Sequence, residues 1–177
     1  VMLAEIVEQL EGEIPTHVFI QAGVGGLAAA VCGYFWDLWA EQRPRFIVVE
    51  PEAANCLQES AKAGELKVVE GDLDTLMAGL ACGEVSHIAW HVLDQGADDF
   101  ITVSENSVAP CMQALEQHSP SIEAGESAVA GLAACIIAAQ KPQWRDSLGL
   151  NEKSRVLVLG TEGATDPELY QQLVFGA

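Results

Sequence analysis

Basic residues are scarce in this 177-residue sequence. Eight lysines and arginines stand against 26 acidic residues, which gives a formal net charge of −18. A field of this sign repels nucleic acids and anionic membrane surfaces, and no apolar run is long enough to span a bilayer. We therefore expect neither a nucleic-acid partner nor a membrane partner, whereas a small-molecule site is compatible with the charge.

The sequence also lacks the CxxC or CxxH spacing of a zinc site. Its cysteines are odd in number and scattered: Cys32, Cys56, Cys82, Cys111 and Cys135. Reduced and mostly buried thiols are the simplest interpretation, and they indicate the cytoplasm and no bound metal. Cys56 and Cys82 each follow a predicted strand–helix turn, so a redox-sensitive pair is the alternative.

Apolar segments that suit strands alternate with segments of helical periodicity, and no hairpin signal joins two strands. The predicted strands are residues 17–20, 45–50, 100–103 and 155–159. The predicted helices are residues 2–11, 25–42, 51–63, 84–94, 105–117 with a kink at Pro110, and 126–140, besides a helical turn at 77–81 and a last helix that Asp166-Pro167 opens. This order predicts an α/β fold, a parallel sheet with helices on both faces, in one domain of residues 1–177.

The first predicted strand ends in a glycine turn that opens a helix, in the sequence QAGVGGLAAAV. The first amides of a helix are unpaired and lie at the positive end of its dipole, and glycines let an anion approach them closely. No lysine or arginine occurs before Arg43. The turn therefore predicts a phosphate site made of backbone amides, chiefly those of Gly25 and Gly26.

Other interpretations of this turn stay open at this point. One alternative is a turn that only brings helix and strand together. The missing lysine and hydroxyl argue against a P-loop. Residues 23–28 also fit the dinucleotide pattern G-x-G-x-x-A, and Glu50 ends the next strand where a ribose-binding acid is expected. A dinucleotide-binding oxidoreductase is therefore the alternative function.

Five segments together resemble the fold-type II pyridoxal-phosphate enzymes, which are related to the tryptophan synthase β-subunit. The matching segments are QAGVGGLAAAV, FIVVEPEAANC, TLMAGLACGE, GESAVAGLAA and VLVLGTEGATD, in the family's order between Thr16 and Asp166. Within the family, the resemblance is greatest to the ammonia-lyases that act on 2,3-diaminopropionate. It implies a sheet from the large domain of such an enzyme, an amino-acid substrate that is converted to pyruvate and ammonia by α,β-elimination, a role in amino-acid catabolism and a homodimer.

The resemblance also implies pyridoxal 5'-phosphate as cofactor and names the residues that hold it. The family's glycine loop binds the cofactor phosphate, and it corresponds here to Gly23, Val24, Gly25, Gly26 and Leu27. The turn after the late strand supplies a hydroxyl to the pyridine nitrogen. Thr161 is the candidate, although Gly160 stands where the family often has serine. Glu126 either lies near this site or opens the following helix as a dipole-complementing acid.

No catalytic residue is carried over from the family. The lysines of the sequence, Lys62, Lys67, Lys141 and Lys153, have polar neighbours typical of solvated faces, and none matches the family's lysine motif. The family's Schiff-base lysine lies in the amino-terminal half, whereas this sequence begins at Val1 inside a helical pattern. We therefore expect the carboxyl-terminal portion of a lyase, inactive by itself. A third hypothesis is an assembly module that keeps the fold without the chemistry.

Overall fold

Four parallel strands form one sheet in the computed structural model of the chain, which describes residues 1–176. The strands are β1 (His17–Gln21), β2 (Arg45–Pro51), β3 (Asp99–Val103) and β4 (Val156–Val158). Their order across the sheet is β3-β2-β1-β4, and every neighbouring pair is parallel. The two central strands are buried along nearly their whole length, which explains their continuous apolar sequences.

The described residues form eight α-helices. They are α1 (Met2–Gln9), α2 (Gly26–Trp39), α3 (Cys56–Ala63), α4 (His87–Gly96), α5 (Val108–Glu116), α6 (Ala130–Gln140), α7 (Pro142–Leu148) and α8 (Pro167–Phe175). Successive side chains of β1 enter two different cores. Phe19 joins the core of α5, α6, α7 and α8, and Val18 and Ile20 join that of α2, α3 and α4. The predicted α/β fold with helices on both faces of a parallel sheet is confirmed.

The predicted helix that starts at residue 51 begins five residues later. Pro51 belongs to β2 and is paired with Val103, and α3 starts only at Cys56. Proline is acceptable at the end of a strand because it lacks only a backbone donor. The carboxylate of Glu50 then reaches past the turn to the first amides of α3, so the helix start is set by a side chain from the strand.

The predicted start of α6 and the predicted kink in α5 are also wrong. Helix α6 begins at Ala130 instead of residue 126, because the backbone and side chain of Ser127 are engaged by neighbouring segments. Helix α5 begins at Val108, so Pro110 lies in the first turn. The amides of the first turn have no acceptor within the helix, and a proline there does not kink it.

Smaller differences concern the ends of elements. Helix α7 was not predicted, and it starts with Pro142 at its first position, directly after α6. Helix α4 begins at His87 behind the N-cap Ser86, whose hydroxyl accepts a hydrogen bond from the amide of Ala89. The predicted helical turn at 77–81 is a 3-10 turn at Ala78–Leu80. Helix α2 ends at Trp39 and is followed by a 3-10 turn at Ala40–Gln42. Strand β4 is shorter than predicted.

Helix α6 lies against the sheet at a glycine. A Cβ on Gly131 would lie 2.6 Å from the carbonyl oxygen of Phe19 in β1. A contact this short leaves no room for any side chain. The small residues of α6 thus allow close packing of the helix against the sheet.

Gly131→Ala should lower the free energy of unfolding by about 1–2 kcal/mol, because overpacking against a rigid backbone outweighs the better helix propensity of alanine. Gly33→Ala in α2 is the matched control, because its Cβ would make only an ordinary contact, 3.6 Å from Val92 Cγ1. That change should stabilise the protein by up to about 1 kcal/mol. Denaturant unfolding measures both, and stabilisation by Gly131→Ala would contradict the packing argument.

Candidate functional site

A cavity of about 340 Å³ lies at the carboxyl end of β1, where the chain turns into α2. Its lining comes from four segments of the chain: Gln21 to Leu27, the turn with Gly79, Leu80 and Cys82, Ser127, and Thr161 with Glu162. A larger, open cavity of about 890 Å³ lies beside α7 and β4 and contains no residue that the sequence predicts for a site. The smaller cavity is therefore the candidate site.

The glycine turn forms one wall of this cavity. Gly25 is the N-cap of α2 and has a φ of +93°, in the left-handed region that favours glycine. The first bond within the helix runs from the amide of Ala29 to the carbonyl of Gly25. The preceding amides, including those of Gly26 and Leu27 in the cavity lining, are left for a ligand. This is the backbone geometry of an anion site.

The glycine turn is held in place by α4. A Cβ on Gly25 would lie 3.2 Å from Ala89 Cβ and 3.2 Å from Leu93 Cδ1. The carbonyl of Val24 accepts a hydrogen bond of 3.0 Å from the amide of Ser86, just before α4. The turn therefore has a fixed shape, set by residues more than 60 positions further along the chain.

Thr161 also lines this cavity, three residues after the end of β4. Its hydroxyl oxygen is 3.2 Å from Nε2 of Gln21, and the same Nε2 is 2.6 Å from the carbonyl oxygen of Leu159. The structure thus brings Thr161 into one cavity with the five residues of the glycine loop. Because β4 pairs with β1, the ends of both strands meet although they are far apart in sequence.

Several residues of the cavity lining were not predicted from the sequence, and three of them have side chains that form hydrogen bonds there: Gln21, Ser127 and Glu162. A side-chain oxygen of Glu162 accepts a hydrogen bond of 2.7 Å from the amide of Ser127, and Ser127 Oγ accepts one of 3.1 Å from the amide of Gly79. These bonds join three loops into one wall. Gln21 could have been identified from the sequence, because an amide side chain at the end of a buried apolar strand is unusual.

Glu126 does not open a helix as predicted, because α6 begins four residues later. It is buried and does not line the cavity. Burial raises the pKa of its carboxyl, and the negative charges of Glu162 and Asp166 raise it further.

Glu50 is fully buried and serves the fold. Its two carboxylate oxygens accept hydrogen bonds of 2.8 Å each from the amides of Leu57 and Gln58 in α3. Burial raises the pKa of Glu50 to about 7, although these bonds act in the opposite direction. Both oxygens are occupied and the residue is absent from the cavity lining, so the dinucleotide-binding alternative is not supported.

Two thiols pack near the glycine turn. Cys56 Sγ is 3.8 Å from the carbonyl oxygen of Gly23, and a Cβ on Gly23 would lie 2.9 Å from Cys82 Sγ. Both cysteines are free. Burial raises the pKa of Cys56 to about 12, which keeps it a neutral thiol. A redox-sensitive pair of Cys56 and Cys82 stays a prediction.

The four lysines are all exposed and none lines the cavity. Lys62 pairs with Glu59, and Lys67 pairs with Glu65. Lys141 lies over the ring of Trp144 at 4.7 Å. Over residues 1–176, no helix is both long and apolar enough to cross a bilayer, and no three acidic, histidine or cysteine side chains cluster as metal ligands would.

Comparison with known sequences gives a consistent result. The model of the family described as pyridoxal-phosphate dependent enzyme matches residues 1–162. The diaminopropionate ammonia-lyase of Escherichia coli K12 is 39% identical over 97% of this chain and 45% of its own length. That of Salmonella typhimurium is 36% identical over 98% of this chain and 46% of its own length. The chain thus spans about half the length of these relatives.

Solved structures agree with the sequence comparison. Holo diaminopropionate ammonia lyase from Escherichia coli superposes with a TM-score of 0.89 at 37% identity, covering 99% of this chain and 45% of that chain. Threonine deaminase isoform 2 of Solanum lycopersicum has a TM-score of 0.76 at 21% identity, covering 97% of this chain and 47% of that chain, which shows a shared fold. With the family match over most of its length, the chain belongs to the pyridoxal-phosphate dependent enzymes.

Proposed function

We propose that the enzyme carrying this chain eliminates ammonia from 2,3-diaminopropionate with pyridoxal 5'-phosphate as cofactor. One molecule of diaminopropionate and one of water would give one pyruvate and two ammonia. The observation that carries the proposal is the cavity in which the glycine turn of α2 and Thr161 meet. The 39% identity to a diaminopropionate ammonia-lyase over 97% of the chain supports this choice of substrate.

The residues of the cavity fit this cofactor at both of its ends. Pyridoxal 5'-phosphate is a substituted pyridine. Its phosphate is on a side group of the ring, and the ring nitrogen is a separate point of contact. The unpaired amides of the α2 N-terminus suit the phosphate, and a Cβ on Gly26 would meet no other segment of the chain within 4 Å, so there is open space beside the turn. We assign the phosphate to Gly23, Val24, Gly25, Gly26 and Leu27, and the pyridine nitrogen to Thr161.

The residues of this chain would bind and orient the cofactor. The amides and the dipole of α2 offset the phosphate charge without any basic side chain, since no lysine or arginine lines the cavity. When bound, pyridoxal phosphate supplies the electron sink that makes the Cα proton of an amino acid labile. An alcohol such as Thr161 is too weak an acid to protonate a pyridine. Thr161 would therefore leave the ring nitrogen uncharged, and this would favour loss of the β-amino group over transamination.

The proposal assigns no nucleophile to residues 1–176. A lysine that forms an imine must be desolvated and held against the cofactor. Lys62, Lys67, Lys141 and Lys153 are exposed and lie outside the cavity lining. The amine that links the cofactor would therefore be supplied by other residues of the enzyme.

We further propose that the enzyme is a cytoplasmic homodimer that serves amino-acid catabolism. The free state of all five cysteines supports a reducing compartment. The dimer follows from the family resemblance alone, and sedimentation of the enzyme that carries this sequence would test it.

The test of the activity measures pyruvate and ammonia released from 2,3-diaminopropionate by the enzyme that carries this sequence. We expect two ammonia for each pyruvate, loss of the reaction when the cofactor is stripped, and recovery when pyridoxal phosphate is added back. Alanine, which has no β-leaving group, is the control substrate and should release no pyruvate by elimination. An enzyme that binds the cofactor but releases no pyruvate would contradict the assignment of 2,3-diaminopropionate as the substrate. An enzyme that binds no cofactor would indicate an assembly module.

A further inference from the structure

The side-chain amide of Gln21 is fixed in one orientation. Gln21 is the last residue of β1 and is 3% exposed. One end of its amide lies 2.6 Å from the carbonyl oxygen of Leu159. A carbonyl oxygen can only accept a hydrogen bond, so the group that faces it must be the NH2. The contact thus settles which end of the amide is nitrogen, a choice that depends on the hydrogen-bond partners.

This orientation decides how the Thr161 hydroxyl is used. The NH2 of Gln21 has two hydrogens, of which one goes to Leu159 and the other to Thr161 Oγ1 at 3.2 Å. Thr161 therefore accepts a hydrogen bond from Gln21. A hydroxyl has a single proton, and since Gln21 takes up a lone pair, the proton is left to be donated to another acceptor.

The other polar side chains of the cavity are held by different partners. A carboxylate oxygen of Glu162 accepts from the amide of Ser127, and Ser127 Oγ accepts from the amide of Gly79. Among the side chains that line the cavity, the one that forms a hydrogen bond with Thr161 Oγ1 is Gln21.

The stability of β1 accounts for only part of the role of the amide at position 21. Over residues 1–176, the Oε1 atom of Gln21 is buried and has no hydrogen-bond partner. A buried acceptor without a partner costs free energy. An apolar side chain would avoid this cost, but it would leave the carbonyl of Leu159 without the donor that Gln21 supplies. The role of the amide therefore lies in its nitrogen, which joins the carbonyl of Leu159 to the hydroxyl of Thr161.

We infer that Gln21 is a positioning residue that holds the Thr161 hydroxyl as an acceptor and so presents its proton to the pyridine nitrogen of the bound cofactor. This inference rests on the proposed function, because it needs the cofactor in the cavity. Gln21 acts through Thr161.

A double-mutant cycle with Gln21→Met and Thr161→Val tests this role in the enzyme that carries this sequence. Both changes keep the approximate volume of the side chain and remove the hydrogen-bonding groups. The readouts are the dissociation constant of pyridoxal phosphate and the absorbance spectrum of the bound cofactor. Gln21→Met should weaken binding about fivefold, as expected for one lost hydrogen bond, and should shift the spectrum in the same direction as Thr161→Val. The double variant should be no weaker than Thr161→Val alone.

His17→Leu is the matched control. His17 is the first residue of the same strand, is buried, and its Nε2 lies 2.8 Å from the carbonyl oxygen of Leu148. The change removes this bond and the one of 2.7 Å between Nδ1 and Thr16 Oγ1, both at the far end of β1. It should lower the melting temperature about as much as Gln21→Met but leave the cofactor affinity within about twofold.

The outcomes separate this inference from the proposed function. An altered spectrum in Thr161→Val together with an unchanged one in Gln21→Met would overturn the role of Gln21 alone, as would additive effects in the double variant. An enzyme that binds no pyridoxal phosphate, or a Thr161→Val variant identical to the parent, would overturn the proposed site. If Gln21→Met does not fold, Gln21→Asn replaces it, because the shorter side chain withdraws the amide from Thr161 and carries the same expectation.

Discussion

Gly25→Val should remove the preference of the enzyme for pyridoxal phosphate over pyridoxal, which lacks the phosphate. Gly25 has a φ of +93°, and a Cβ there would lie 3.2 Å from both Ala89 and Leu93. A β-branched residue does not tolerate this backbone conformation. The turn must therefore move, and the unpaired amides of α2 would no longer converge on one anion.

The expected effects are large. Charge-assisted hydrogen bonds from two or three amides should make the parent bind pyridoxal phosphate about a hundredfold more tightly than pyridoxal. In Gly25→Val this ratio should fall to near one. Backbone strain and overpacking should also lower the free energy of unfolding by about 3 kcal/mol. Fluorescence titration measures the two affinities, and denaturant unfolding measures the stability.

Gly33→Ala, in the same helix but outside the cavity lining, should keep the ratio of the parent. A folded Gly25→Val variant that still prefers the phosphorylated cofactor would show that the phosphate lies elsewhere. If Gly25→Val does not fold, the parent itself decides the question, since equal affinities for pyridoxal phosphate and pyridoxal would contradict a phosphate site at the turn.

Thr161→Val should slow pyruvate formation from 2,3-diaminopropionate by between about tenfold and a hundredfold. The change keeps the volume of the side chain and removes the hydroxyl, which is worth about 1.5–3 kcal/mol when its bond strengthens as charge develops on the ring. Thr161→Asp should instead hold a proton on the pyridine nitrogen, because a carboxylate beside the ring stabilises the pyridinium. That variant should have an altered cofactor spectrum and more transamination.

Thr161→Ser is the control for this prediction, since it keeps a hydroxyl at the same position. It should retain most of the rate and the spectrum of the parent. Parent-like rates and spectra in both Thr161→Val and Thr161→Asp would assign the ring nitrogen to another residue.

The architecture and the glycine turn could be predicted from the sequence because their causes are local. Strands that are buried on both faces have continuous apolar sequences, as in residues 17–20 and 45–50. A turn that needs a left-handed residue and close backbone contacts requires glycine at particular positions, as at Gly25. The resemblance to the family depended on such local segments, and the family match confirms it.

The starts of helices α3 and α6 were mispredicted because side chains from outside each helix set them. The carboxylate of Glu50 binds the first amides of α3 from the end of β2. The carboxylate of Glu162 binds the amide of Ser127, 35 residues earlier in the chain, and α6 starts only after that contact. Helix propensity contains no information about such partners.

The meeting of Gln21 and Thr161 was decided by the tertiary structure alone. The two residues are 140 positions apart, and neither has a sequence signal that points to the other. They meet because β4 pairs with β1 in parallel, which brings the carboxyl ends of both strands to one edge of the sheet. The sequence thus determined which backbone could hold a phosphate. The strand order determined that the hydroxyl of Thr161 lies in the same cavity. The carbonyl of Leu159 determined that the nitrogen of the Gln21 amide, and not its oxygen, contacts this hydroxyl.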